Sequence, residues 1–194
     1  MEFGIDDAQF IRGNVPMTKQ EIRILTIVKA HIHRADIVYD IGAGTGSLSI
    51  EAANLASEGR VYALERNAEA VALIEANKKH FGIANVEALH AEAPAGLDEL
   101  PAPNVVLIGG SGKHLNAILE AVTEKLVPGG RIVLNCITLQ TVMTAISFMR
   151  RHEDIYTYDA IQVQVSRLQR VGPYDMAKAM NPIYIITCTK GGTN

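Results

Sequence analysis

The sequence predicts an α/β fold: a doubly wound, mostly parallel seven-stranded sheet with helices on both faces and a C-terminal antiparallel hairpin. Three observations carry that expectation. From about residue 36 onward, strand-like and helix-like apolar patterns alternate, as they do where a parallel sheet is covered by crossover helices. A glycine-rich turn, Asp40-Ile41-Gly42-Ala43-Gly44-Thr45-Gly46-Ser47, joins a strand to the helix that follows it. Near the C-terminus the pattern switches to two strands with no helix long enough to link them in parallel, so they should pair as a hairpin.

The elements follow in order. The stretch to Met17 is irregular. Thr18-Lys19-Gln20-Glu21 reads as a capping box, opening a helix that should bury Ile22, Leu25, Val28 and Ile32. The first strand is 37–41. A helix over 47–56 should close at Gly59, and the second strand covers 61–65. Asn67 can cap the next helix, which runs to Phe81 and stops at Gly82. Strands are expected at 86–90 and 105–108. The helix after Gly109-Gly110-Ser111-Gly112 should bury Leu115, Ile118, Leu119, Val122 and Leu126. Pro128-Gly129-Gly130 turns into a fifth strand, 131–137. The next helix shows Leu139, Val142, Met143, Ile146 and Met149 on one face. Alternation over 158–168 and a strand at 183–187 complete the hairpin. No linker or repeat interrupts 1–194, which reads as a single domain whose first 35 residues form a covering segment and helix.

Composition narrows the function. In 194 residues, apolar types make up 48% and charged types 20%, which is globular. The formal net charge is −3 with both signs interspersed, and there is no basic stripe of the kind nucleic-acid binders carry. No apolar run approaches the roughly 20 residues needed to span a bilayer. Cys136 and Cys188 form no Cys-x-x-Cys and read as small buried hydrophobes, which with no evident signal peptide suggests a cytoplasmic setting. His31 and His33, two apart on an expected helix, point to different faces, so no metal site is expected.

The glycine-rich turn carries the chemistry. A strand-to-helix turn places helix N-terminal amides beside a ligand, and glycine lets backbone and ligand approach closely. The spacing is not that of a dinucleotide fingerprint, because Gly46 arrives one residue early. Asp40 would repel a pyrophosphate, and it suits a ligand with a cationic amino group and a sulfonium. S-adenosylmethionine fits that description. Gly42, Ala43, Gly44, Thr45 and Gly46 would then frame it. Glu65, at the tip of the second strand, can accept from both ribose hydroxyls. In Ala91-Glu92-Ala93-Pro94, Glu92 and Ala93 flank the expected adenine edge, where the Ala93 N–H can meet a ring nitrogen.

Beyond these motifs, Gly4-Ile5-Asp6-Asp7 through Phe10, Arg12, and Val15-Pro16-Met17-Thr18-Lys19-Gln20-Glu21-Ile22-Arg23 resemble the N-terminus of the cobalt-precorrin-6B carbon-15 methyltransferase (decarboxylating) family. Gly109-Gly110-Ser111-Gly112 and Pro128-Gly129-Gly130-Arg131 extend the resemblance along nearly the whole chain. It implies a Rossmann-like methyltransferase fold and S-adenosylmethionine contacts from Thr18, the turn, Glu65 and Ala93. Thr18 therefore has two readings, cofactor contact and helix cap, which can coexist. Many members carry Cys at position 43 and Asp at 65 or 92, so Ala43, Glu65 and Glu92 are mild departures.

The resemblance further implies methylation of ring carbon 15 of a (cobalt-)precorrin, loss of carbon dioxide from the ring-C acetate, a place in cobalamin biosynthesis, and a tetramer. Gly109, Gly110, Ser111 and Gly112 would leave room for a flat macrocycle. An enamine-like ring carbon needs no proton removed before attack, so no general base is assigned, and placement of carbon against methyl would carry the rate. Substrate carboxylates need cations; the candidates are Arg12, Lys19, Arg23, Lys113, His114, Arg167 and Arg170, with Lys113 and His114 nearest the glycines. Asn181-Pro182-Ile183-Tyr184 mimics an amino-methyltransferase motif but opens the last strand and reads as structural. Two alternatives stay open at this stage: a methyltransferase acting on a protein carboxylate or tRNA, and a cofactor-binding subunit without turnover.

Overall fold

A computed structural model describes residues 3–191. The strands are β1 (Ile37–Ile41), β2 (Arg60–Glu65), β3 (Val86–His90), β4 (Val105–Ile108), β5 (Arg131–Cys136), β6 (Tyr156–Val163), β7 (Ser166–Val171), β8 (Tyr174–Ala179) and β9 (Ile183–Lys190). The helices are α1 (Gln20–Ala30), α2 (Ser47–Leu55), α3 (Ala68–Phe81), α4 (Leu115–Lys125) and α5 (Leu139–Arg151). Seven strands form one sheet in the order β3-β2-β1-β4-β5-β9-β6, parallel from β3 to β5 and antiparallel through β9 and β6. Strand order reverses between β1 and β4, and that reversal opens a crevice at the carboxyl ends of the strands.

The core divides by the two-residue period of the strands. Tyr39, Ile41, Val106 and Ile108 pack with α4 and α5 on one face. Val38, Val105 and Leu107 pack with α1, α2 and α3 on the other. Asn67 caps α3 by accepting from the Glu69 N–H (2.9 Å), and Gly82 ends it in the left-handed region. All five apolar positions expected inside along α4 and just beyond it are buried. Cys136 and Cys188 lie buried in β5 and β9, where burial pushes their thiols up to about 11 and about 12.

Several local expectations are corrected. Lys19 occupies the cap position of α1 and makes no side-chain cap, so Thr18-Lys19-Gln20-Glu21 is not a capping box. The inward stripe of α1 comprises Ile22, Arg23, Thr26, Ile27 and Ala30, while Val28 is 55% exposed. His31 is the left-handed C-cap and His33 lies beyond the helix. Helix α2 ends at Leu55 with Ala56 as its C-cap; Gly59 instead passes so close to Asp36 that a Cβ would sit 2.0 Å from its carbonyl oxygen. On α5 the packed stripe is Val142, Ala145, Phe148 and Met149, and Leu139 and Met143 face outward.

The largest difference lies near the C-terminus. β6 and β9 do pair, from Tyr156↔Lys190 to Val163↔Ile183, but they are not consecutive. The alternation over 158–168 spans a break after Val163, and β7 and β8 form a separate two-stranded ribbon turned at Gly172-Pro173. Gly172 takes φ 61°, which the turn needs and glycine supplies without strain. A Gly-Pro step inside an apparent hairpin loop was the available signal.

The N-terminal segment is held by a buried cation. Arg23 has no solvent exposure, and its Nε donates to Glu51 (2.9 Å), which is equally buried. Its other nitrogens reach Asp7 (2.9 Å), the Thr18 carbonyl (2.7 Å) and the Ile5 carbonyl, and its guanidinium lies 4.7 Å from the Phe10 ring centroid. Glu51 also accepts from the N–H groups of Gly4 and Ile5 (2.9 and 3.2 Å). Asn77 of α3 clasps Ile11 through both its N–H and its carbonyl. Breaking one side of a buried ion pair strands the other charge, at a cost of about 3–5 kcal/mol. Arg23→Ala is therefore expected to lose stability of that order in urea unfolding. A loss under about 1 kcal/mol would mean that Glu51 readily finds water and that the clasp is not structural.

Candidate functional site

A cavity of about 650 Å³ opens where β1, β2 and β4 end. Gly42, Ala43 and Gly44 form its floor with Glu65, while Ala91, Glu92 and Ala93 line one side and Gly109 to Gly112 another. Asn14 to Lys19 cover it. Concave sites of this size at a strand-order reversal are where α/β proteins bind small ligands.

The glycines of the turn are fixed by protein contacts. All three have positive φ, at 72°, 57° and 77° for Gly42, Gly44 and Gly46. A Cβ on Gly42 would stand 2.5 Å from the Gly110 carbonyl oxygen, one on Gly44 2.9 Å from the Pro16 carbonyl oxygen, and one on Gly46 3.1 Å from the Ile74 side chain. Four of the turn's amides are also occupied. Gly42 and Ala43 donate to the Leu64 carbonyl, Gly46 donates to Ala43, and Gly44 donates to Glu65 Oε2 (3.0 Å). These bonds make the turn a rigid backbone that aims one carboxylate.

Glu65 is that carboxylate. Its Oε1 accepts from the Asn67 N–H (2.9 Å), so both oxygens are fixed by backbone donors while the group stays on the cavity wall. Ala93 is 7% exposed, and its N–H makes no hydrogen bond among the described residues. Glu92 lines the cavity but pairs with Arg66 (3.0 Å), closing that side beside Gly112. Thr18 lines the roof, its carbonyl held by Arg23.

Asp40, Thr45 and Gly46 do not line the cavity. Asp40 lies fully buried behind the floor, where Oδ2 accepts from the Ser49 hydroxyl (2.5 Å) and Oδ1 has no partner among the described residues. Burial, opposed by the Ser49 bond and assisted by Glu65, pushes its carboxyl up to about 6. Thr45 is 1% exposed, and its carbonyl accepts from Asn77 (3.0 Å).

The substrate-side candidates separate in the same way. Gly109, Gly110, Ser111 and Gly112 line the cavity, with the N–H groups of Gly109 and Gly110 tied to the Ile41 carbonyl. Lys113, at φ 76°, and His114 are exposed outside it, and His114 lies 3.8 Å from Glu92. Arg23 is sealed in the clasp and unavailable to substrate. Arg12, Lys19 and Arg167 gather in an adjoining groove. Arg170 stands across from Asp175 on the ribbon, on the face opposite to that of Arg167.

Sequence reading missed Asn135, Ile137, Met180 and Asn181 of the cavity wall. Asn135 is oriented by the Thr26 hydroxyl (3.0 Å). The signal for Asn181 was present. A strand antiparallel to its neighbours begins where they end, so the residues opening β9 fall at the carboxyl edge of the sheet. Among the described residues, no cluster of His, Cys, Asp or Glu has metal-ligand geometry, and no helix is long and apolar enough to cross a membrane.

Comparison with known proteins places this architecture. The sequence model of a family described as precorrin methyltransferase domain matches residues 9–190. A cobalt-precorrin-6B C(15)-methyltransferase (decarboxylating) of Salmonella typhimurium is 38% identical over 185 residues, covering 95% of each chain. The crystal structure of a precorrin-6y C5,15-methyltransferase from Geobacter metallireducens superposes with a TM-score of 0.90 at 42% identity, covering 97% of this chain and 98% of that one. A precorrin 8w decarboxylase from Methanobacterium thermoautotrophicum superposes at 0.86 with 32% identity, covering 94% and 98%.

The buried acid gives a pH dependence. With its folded pKa raised from 3.8 to about 6, Asp40 favours folding below pH 4, and that contribution is lost as pH rises through 6. Two pKa units correspond to about 3 kcal/mol. Asp40→Asn, which cannot ionise, is expected to flatten the stability profile of the ligand-free protein between pH 4 and pH 7. Parallel profiles for the two proteins would show that Asp40 ionises without cost.

Proposed function

The chain belongs to the precorrin methyltransferase domain family, and from that premise we propose that it methylates ring carbon 15 of a (cobalt-)precorrin and removes carbon dioxide from the ring-C acetate, with S-adenosylmethionine as methyl donor. The observation that carries the reading is the presence, in one cavity, of a carboxylate fixed by two backbone donors and an N–H with no partner among the described residues. A ribose diol offers two donors and an adenine ring an acceptor, so Glu65 and Ala93 fit the two ends of an adenosine. Bound there, S-adenosylmethionine supplies a methyl group activated by its sulfonium.

The chain's own residues then have distinct tasks. Glu65 holds the ribose in one orientation because Gly44 and Asn67 prevent its carboxylate from turning. Asp40, behind the floor, adds negative potential under the turn when ionised, which favours a cationic ligand. The segment from Asn14 to Lys19 excludes water, which strengthens each of these interactions. Gly109 to Gly112 present no bulky side chain, so a flat ring can approach, and holding carbon and methyl in line is worth several kcal/mol. For decarboxylation, the conjugated ring takes the electron pair released from the breaking carbon–carbon bond, and the cavity needs only to orient the acetate. In this reading the chain works as a single domain, its first 35 residues covering the ligands, within a cytoplasmic homotetramer. The outward Leu168 and Tyr174 of the ribbon, 77% and 71% exposed, offer apolar surface for such assembly.

Incubation with cobalt-precorrin-6B and S-adenosylmethionine should yield a product that has gained one methyl group and lost one carbon dioxide by mass spectrometry. Unchanged tetrapyrrole, with folded enzyme and both reactants present, would refute the assignment. Glu65→Ala should weaken S-adenosylhomocysteine binding by about 1–3 kcal/mol in calorimetry, the scale of a charge-assisted hydrogen bond. An unaltered affinity would remove Glu65 from the cofactor site.

A further inference from the structure

Beside the main cavity, sharing Lys19 and Met180 with it, lies a groove of about 620 Å³ between the N-terminal segment and the β7–β8 ribbon. Arg12 and Lys19 line one wall and Arg167 and Lys178 the other. The carboxylates in the groove are Asp6 and Asp7. Asp7 is engaged by the buried Arg23 and by Lys19 (3.5 Å), and Asp6 accepts from the Ala8 N–H (2.8 Å). In a chain of net charge −3, this is a local excess of positive charge facing a common space.

The register of the ribbon is a second, independent observation. Arg167 and Lys178 are directly opposed across β7 and β8. Like charges opposite one another on one face of a strand pair destabilise it, and a two-stranded ribbon has little stability to lose. Glu21 relieves Arg167 (2.5 Å), whereas Lys178 forms no ion pair among the described residues, and neither does Arg12. An anion spanning the groove would satisfy both.

We infer that this groove binds peripheral carboxylates of the substrate, with Arg12 and Lys178 as the principal contacts and Lys19 and Arg167 shaping the field. The inference rests on the proposed tetrapyrrole substrate and assigns its orientation: the reacting carbon lies over Gly109 to Gly112, and the acidic rim extends under the ribbon. Of the cations that sequence alone offered, the groove selects Arg12, Lys19 and Arg167, adds Lys178, and leaves out Arg23, Arg170, Lys113 and His114. Both principal residues are exposed, so they are specificity-determining rather than catalytic.

The test uses the full chain, with Arg12→Ala, Lys178→Ala and their combination. Uroporphyrin III serves as an all-carboxylate tetrapyrrole probe, and methyl transfer to cobalt-precorrin-6B is assayed in parallel. The double variant should bind uroporphyrin about tenfold more weakly, as expected for two solvent-exposed ion pairs near the upper end of their usual strength. Its KM for the precorrin should rise similarly with kcat little changed, its S-adenosylhomocysteine affinity should be unaltered, and its binding should depend less steeply on salt. Lys178→Arg should restore affinity. Unchanged KM and unchanged uroporphyrin binding in the double variant would overturn the inference and leave the methyltransferase reading intact. Wild-type protein that binds S-adenosylhomocysteine but neither binds nor methylates any tetrapyrrole would overturn both.

Discussion

A guanidinium without solvent exposure has to find its counter-charge and its acceptors inside the protein, because an uncompensated buried charge costs several kcal/mol, a large share of a domain's net stability. Arg23 finds them in the Glu51 and Asp7 carboxylates and in the carbonyls of Ile5 and Thr18. These partners come from three different parts of the chain. Satisfying one side chain therefore pins the irregular N-terminal segment against α1 and α2, and Asn77 repeats the device from α3. The roof from Asn14 to Lys19 depends on this clasp, and without the roof the turn at Gly42 would face open water.

The floor is built on a second constraint, the close approach of two backbones where strand order reverses. Gly42 and Gly110 belong to different crossovers, yet no Cβ fits between them. Gly44 meets Pro16 of the roof and Gly46 meets Ile74 of α3 in similar fashion. The three glycines thus join floor, roof and a flanking helix. This rigid frame sets the groups that line the cavity: the Glu65 carboxylate, Ala93 and the smooth rim of Gly109 to Gly112.

The C-terminal strands complete the cavity from the opposite side. β9 runs against its neighbours, so its opening residues return to the edge where β5 ends, bringing Asn181 near Asn135 and Ile137. The ribbon inserted between β6 and β9 projects from the same edge. Its position beyond the sheet accounts for its exposed side chains, and it places Arg167 and Lys178 opposite the N-terminal segment. The cavity thus rests on the carboxyl edge of the parallel sheet, and the groove beside it lies between the N-terminal segment and the ribbon.

Local order carried much of this architecture in the sequence. The period-two strands, the helices α3 and α4, the Asn67 cap, the glycine-rich turn and Glu65 at a strand tip are set by neighbours a few residues apart, and their patterns survive folding intact. What tertiary structure decided was which polar groups meet. Arg23 shares the look of a surface cation with Arg12, and only the arrival of Glu51 and Asp7 buries one and leaves the other exposed. Asp40 follows the two-residue period to the face covered by α1, α2 and α3 and so lies behind the turn, away from the cavity. The break after Val163 was hidden because the apolar–polar alternation of β6 runs on through Gln164 and Val165 to Ser166, which already opens β7. Periodicity records the direction of a side chain relative to its own backbone; its partner, and therefore its charge state and its role, depends on segments that become neighbours only when the chain has closed.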